Sequence, residues 1–259
     1  MDAGTSHLWF YRSLFALRPA WCGVLLKRLF RVRRRVVVCE RGTFYLDPCS
    51  HFGLTLLQDG RYEDALTSTF ELHLREGSVF VDVGANEGYF SIVASKLVGS
   101  RGRVIAVEPQ SRLRSVLEKN VSLNRASNIQ LHQVAISNVN GTVEMFLAPD
   151  TITGATSLSK TRKYPVPRET VTTLTLRQLL DNNGVRTADL MKMDIEGHEY
   201  EAILGSPEVF RSKLVRNLAL ELHPSILKQR GKDPGEIAEF LRSAGYNITS
   251  FDKFLQASL

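Results

Sequence analysis

The chain has 259 residues, 43% of them hydrophobic and 23% charged, with a formal net charge of +6. This composition excludes a disordered or fibrous chain and suits one large α/β domain with an N-terminal extension rather than two full domains. Cys22, Cys39 and Cys49 form no CxxC pair, which excludes a disulfide framework or a cysteine zinc site and predicts a reducing, cytoplasmic setting.

Residues 1–58 form the extension. Lys27, Arg28, Arg31, Arg33, Arg34 and Arg35 crowd its centre, a density suited to phosphates or an anionic membrane surface. Its apolar runs are broken by Arg12, Arg18 and Pro19, well short of the roughly 20 residues needed for a span. No small-residue cleavage site follows them, so a secretory leader is not expected. Aromatic and basic residues together leave peripheral membrane contact open. The absence of interleaved aromatics elsewhere argues against a nucleic-acid groove. Val36–Glu40 and Thr43–Leu46 flank Arg41-Gly42 and predict a β-hairpin.

The main domain is expected over 59–259. Tyr62–Leu74 has helical spacing with Gly77 as its stop, and strand and helix signals then alternate. Strands are predicted at 79–83, 103–107, 128–134, 142–147, 189–193, 218–222 and 246–248. Helices are predicted at 89–98, 111–124, 175–182, 199–204 and 234–244. Such alternation implies a mostly parallel, doubly wound sheet with helices on both faces. Ala148–Arg168, rich in Thr, Ser, Gly and Pro, reads as one long irregular segment, the usual form of a lid or substrate loop.

The most informative stretch is Val79–Ser91, VFVDVGANEGYFS, a buried strand entering a helix through Asp82-Val83-Gly84-Ala85-Asn86-Glu87-Gly88. Gly84 and Gly88 permit a sharp turn and close approach of a ligand to the main chain. The strand at 103–107 ends in Glu108-Pro109, about 20 residues on, where a carboxylate can accept both hydroxyls of a ribose. Neither GxGxxG nor GxxxxGK is present, which speaks against a pyrophosphate ligand and hence against a nicotinamide oxidoreductase. An acidic Asp82 in the loop would instead attract an amino group and a cationic centre. The charge pattern favours S-adenosylmethionine.

These residues carry a family likeness. VFVDVGANEGYFS, RVIAVEPQ, Ala135-Ile136-Ser137-Asn138 and LMKMDIEGHE, in this order, resemble the FkbM family of S-adenosylmethionine-dependent methyltransferases over about 77–246. The resemblance implies a class I, Rossmann-like methyltransferase fold with a seven-stranded sheet whose last strand is antiparallel. It also implies that Asp82, Gly84, Ala85, Asn86 and Gly88 form the cofactor loop, that Glu108 holds the ribose, and that Gln133 to Ala135 border the adenine.

Asp194, Glu196 and His223 stand at two further strand ends and are candidates for taking the acceptor's proton, with Asp194 alternatively bordering the cofactor. Lys192 on a buried strand needs a partner, for which Asp194 is nearest in sequence. Asp194, Glu196, Glu221 and His223 have no recognised ligand spacing, so a divalent metal is conceivable but no metal site is expected. His198-Glu199 is a near miss for HExxH, since Ala202 stands in place of the second histidine. The expected activity is methyl transfer to a hydroxyl of a small molecule or saccharide, and the rival is a non-catalytic binding module on the same fold.

Overall fold

In this computed structural model, which describes residues 3–158, 168–251 and 254–259, the chain opens with helices α1 (Ala3–Ala16) and α2 (Ala20–Leu29). Strands β1 (Arg35–Cys39) and β2 (Gly42–Leu46) form the expected antiparallel hairpin. Helix α3 (His51–Asp59) follows, started by the Ser50 hydroxyl, which accepts from the Gly53 N–H, and closed by left-handed Gly60. No helix was expected there. Helix α4 (Asp64–His73) ends at extended Leu74, and Gly77 belongs instead to the turn entering the first parallel strand.

Three strands and two crossover helices begin the sheet: β3 (Val79–Val83), α5 (Tyr89–Val98), β4 (Arg103–Val107), α6 (Ser111–Leu123) and β5 (Ile129–His132). A side sheet comprises β6 (Ala135–Ile136), β7 (Gly141–Phe146) and β8 (Arg168–Leu174), with the order β6-β8-β7. The chain then returns through α7 (Leu176–Asn182), β9 (Leu190–Met193), α8 (Glu199–Leu204), α9 (Pro207–Arg211) and β10 (Asn217–Glu221). Helices α10 (Pro224–Gln229) and α11 (Pro234–Ser243) lead into β11 (Asn247–Phe251) and β12 (Phe254–Ser258).

The seven-stranded sheet has the order β11-β12-β10-β9-β3-β4-β5. Strands β5, β4, β3, β9 and β10 are parallel, while β12 runs antiparallel to both β10 and β11. From β3 the chain winds outward through β4 and β5, then returns to β9 on the other side of β3. That reversal opens a crevice at the carboxyl ends of β3 and β9, where ligands bind in open α/β sheets. The doubly wound, class I expectation is met, including the antiparallel last strand.

Period-two alternation assigns the two faces of the sheet. Val81, Val83, Met191, Met193, Leu218 and Leu220 pack with α7, α8, α9 and α11 on one face. Phe80, Val104, Leu190 and Ala219 pack on the other with Phe70, Ile92 and Val93. Phe44, Leu46 and Leu56 belong to this second core, so the hairpin and α3 are built into the same apolar interior as α4 and α5.

Two strands run against the sequence reading. β8 occupies residues placed at the end of the irregular segment and before its following helix, and β12 lies beyond the last predicted strand. The irregular segment itself contains a 3-10 turn at Asp150–Ala155, and its 159–167 portion lies outside the described residues.

Candidate functional site

The crevice holds a cavity of about 600 Å³. Its walls include Gly84, Asn86, Glu108 and Gln110 from the β3 and β4 ends, Val134–Ile136 beside β6, and Asp194–Glu196 after β9.

The donor side is formed by the loop after β3. Gly84 has a φ of +87°, and a Cβ there would lie 1.9 Å from the Asp194 carbonyl oxygen. Glycine is therefore required by the close approach of the chain leaving β9. Gly88, at φ +89°, lines neither this cavity nor its neighbour. A Cβ there would meet Leu117 Cδ1 at 2.4 Å, so its small size serves the packing of α5 against α6 rather than ligand approach. Asn86 lies on the cavity wall, and Ala85 faces the adjoining space.

Glu108 is 6% exposed and lines the cavity. Its Oε2 accepts from the Asn86 N–H at 2.8 Å and its Oε1 from the Gln110 N–H at 3.0 Å. Burial pushes its pKa up against the pull of these donors. Each oxygen keeps a further lone pair for a ligand hydroxyl. Gln133, expected with Ala135 beside the adenine, is exposed and outside the cavity because β5 ends at His132 and the chain turns, whereas Val134 and Ala135 line it.

Asp82 departs most from expectation. It is fully buried beneath the loop, lines neither cavity, and accepts from the Ser91 hydroxyl at 2.6 Å. Its Oδ1 faces Lys192 Nζ at 3.5 Å and has no hydrogen-bond partner in this structure. Its β-strand alternation turns it into the sheet interior, so it meets Lys192 on the adjacent strand rather than a ligand. Lys192 donates to the Gly84 carbonyl at 2.7 Å and lies 3.7 Å from Asp194. Burial disfavours its charge, but Asp82 and then Asp194 overcome this and raise its pKa. Asp82, not Asp194, is its nearer partner, and the bond to the Gly84 carbonyl ties Lys192, a candidate catalytic residue from its place at the β9 end, to the donor loop.

On the opposite wall Asp194 and Glu196 face the cavity, and His223, Glu199 and Glu221, which line neither cavity, gather behind them. His223, which caps the start of α10, places Nε2 3.5 Å from Glu196, 3.9 Å from Asp194 and 4.0 Å from Glu221. Its Nδ1 lies 2.8 Å from Glu199 Oε1, and Glu199 is wholly buried at the first position of α8. Glu199 also accepts from the Gly197 N–H at 2.9 Å. Burial opposes charge on His223, but the Glu199 hydrogen bond and the neighbouring carboxylates outweigh it and raise its pKa to about 9. Burial lifts Glu196 to about 7, with His223 pulling in the opposite direction. Asp194, Glu196 and His223 each offer a ligand atom within 4.8 Å of the others. This satisfies the spatial requirement of a cation site that sequence spacing did not suggest, yet the imidazolium already balances charge among these carboxylates.

Several further residues of the site come from the segment expected as a lid or substrate loop and from His198. The 3-10 turn crosses the cavity: Thr153 Oγ1 donates to Asn86 Oδ1 at 3.1 Å, and Gln110 Nε2 donates to the Thr153 carbonyl at 3.2 Å. Ser157 Oγ donates to the Glu196 carbonyl at 2.7 Å, tying the same segment to the other wall. His198 lines the cavity and meets Ser137 Oγ at 3.0 Å. A second cavity of about 400 Å³ lies across Gly84–Asn86, walled by Phe52, Tyr62, Phe90, Lys192 and Asp194. The extension reaches the loop directly, since Arg34 grips buried Glu87 with two hydrogen bonds of 2.8 and 3.1 Å.

The chain is similar to known methyltransferases. The model of the methyltransferase FkbM domain matches residues 82–248. The methyltransferase sdnD of Sordaria araneosa is 27% identical over 207 residues, spanning 68% of this chain and 76% of that protein. The hexuronic acid methyltransferase AglP of Haloferax volcanii is 24% identical over 188 residues, 73% of this chain and 71% of its own. A SAM-dependent methyltransferase structure from Aquifex aeolicus superposes with a TM-score of 0.42 at 17% identity, covering 75% of this chain and 86% of that one. With its family model spanning both walls of the crevice, from Asp82 past His223, the chain belongs to the FkbM methyltransferases.

Proposed function

We propose that the protein transfers a methyl group from S-adenosylmethionine to a hydroxyl oxygen of a small molecule or saccharide. The observation that carries this reading is the pairing, in one cavity, of a fixed ribose-type carboxylate, Glu108, with Glu196 on the facing wall. When bound, the donor supplies a methyl carbon made electrophilic by its sulfonium. Glu108 would accept the ribose hydroxyls, held for them by the Asn86 and Gln110 N–H groups. Val134, Ala135 and Ile136 offer an apolar border for the adenine. The carboxylates of Asp194 and Glu196 on the facing wall complement the cationic end of the donor. The saccharide acceptor rests on the likeness to the hexuronic acid methyltransferase.

The proton follows from the titration of the acceptor wall. Glu196, near 7, is ionised in part at neutral pH and stands as the base that takes the acceptor hydroxyl's proton as the new carbon–oxygen bond forms. His223, near 9, stays protonated and holds the carboxylates in place, with Glu199 fixing its ring through Nδ1. Of the three candidates for the base, Asp194, Glu196 and His223, this reading takes Glu196.

The test is isothermal titration with S-adenosylhomocysteine. The wild type should bind, and Glu108→Ala should weaken binding about a hundredfold, the loss of two charge-assisted hydrogen bonds, with an unchanged far-ultraviolet spectrum. Folded wild type that binds neither this product nor the donor would overturn the reading.

A further inference from the structure

Among the described residues, large exposed hydrophobic side chains concentrate in the extension, where α2 carries three of them on one stripe. Trp21, Leu25 and Leu29 follow one another at four-residue intervals and are 63%, 57% and 71% exposed. This spacing places them along a single face of the helix. Trp9 on α1 is 72% exposed, and Phe30, just past α2, is 55% exposed and meets Phe10 edge to face at 5.4 Å. Both tryptophans of the chain therefore stand on the surface of this segment. Phe44, Leu46 and Leu56 of the same extension are buried in the second core, so the segment bearing the stripe is anchored to the domain.

Charge accompanies the stripe. From Arg12 to Arg35 the sequence has eight Lys or Arg residues and no Asp or Glu. Lys27 and Arg34 are turned inward, to Asp47 and Glu87. Arg12, Arg18, Arg28, Arg31, Arg33 and Arg35 remain exposed. An apolar face with tryptophan, bordered by cations and without anions, matches the interface of a bilayer containing acidic lipids: indole and leucine enter the headgroup boundary while guanidinium groups meet phosphates. No helix among the described residues is long and apolar enough to cross a membrane, so this contact is interfacial.

We infer that α2 and its flanking arginines dock the protein onto an anionic phospholipid surface. The inference does not depend on the acceptor or on methyl transfer. Arg34 joins the docking segment to the donor loop, because the same stretch of chain that carries the exposed arginines also grips Glu87.

The full chain is tested by flotation with phosphatidylcholine vesicles, with and without phosphatidylglycerol, while tryptophan emission is recorded. Wild type should float with the anionic vesicles, shift its emission to the blue, and detach at high salt. The triple variant Trp21→Ser, Leu25→Ser, Leu29→Ser should partition at least about tenfold less, with an unaltered unfolding midpoint because the stripe is exposed. As a second variant, Arg28→Glu with Arg31→Glu and Arg33→Glu should lose the preference for anionic over neutral vesicles. Protein left in solution with both vesicles, equal binding to both, or a triple variant that floats like wild type would overturn the inference. So would capture by an RNA homopolymer, or self-association through the stripe, without vesicle binding.

Discussion

The two walls of the crevice are built on opposite principles. On the donor side the charged groups are consumed by the protein: Asp82 by Ser91 and Lys192, Lys192 by the Gly84 carbonyl, and Glu108 by two main-chain N–H groups. On the acceptor side one imidazole stands among Asp194, Glu196, Glu199 and Glu221, and the pKa values of Glu196 and of the imidazole itself are raised. The first wall is a rigid mould whose polar groups carry stability. The second is poised for proton transfer, and functional sites are where such shifts collect. Substitutions of similar size should therefore damage stability on one wall and rate on the other.

The largest effect is expected on the mould. Asp82→Ala leaves Lys192 charged and buried without its nearer partner, and breaking such a pair costs about 3–5 kcal/mol. Urea denaturation should show that loss, a large share of the roughly 5–15 kcal/mol that domains possess. Intact stability with weakened donor binding would return Asp82 to the ligand-facing role that its sequence position suggested.

Glu196→Gln probes the other wall. It should lower kcat about a hundredfold or more while leaving the unfolding midpoint and S-adenosylhomocysteine affinity near wild type. A variant with full kcat would remove Glu196 as the base, and one that unfolds would erase the contrast between the walls.

This division also explains what could be seen in the chain. The donor wall is contiguous in sequence: apolar runs at Val79–Val83 and Arg103–Val107 each end in a turn, so strand, loop and Glu108 are legible together. The acceptor wall is assembled by β9 and β10 lying side by side, which brings Asp194 and His223 together across 29 positions. Glu199 was hidden because a glutamate in the first turn of a helix is ordinary, and only the fold shows that it holds His223. Asp82 misled for a related reason, since composition gives its charge but not which face of β3 it occupies. β8, Arg-Glu-Thr-Val-Thr-Thr-Leu, begins with charges after a Pro-containing stretch and resembles a loop until it pairs with β7. β12 has only five residues and finds its register between β10 and β11.

The smallest effect is a displacement in pH. With Glu196 raised to about 7, activity should climb as it loses its proton through neutrality. With His223 raised to about 9, activity should decline as the imidazolium is lost above that value. Both limbs describe a coupled pair, so each apparent pKa belongs to the cluster. Glu199→Gln preserves an oxygen for Nδ1 but removes the charge that most strongly supports the imidazolium. The pKa of His223 should fall, so the alkaline limb of kcat/KM should move toward neutrality while the acid limb stays near its place. A pH profile unmoved by this substitution, together with activity abolished by a chelator and restored by a divalent ion, would put a metal rather than a proton at the centre of the acceptor wall. An alkaline limb that moves, with activity indifferent to the chelator, would mean that the imidazolium alone balances the carboxylates beside Glu196.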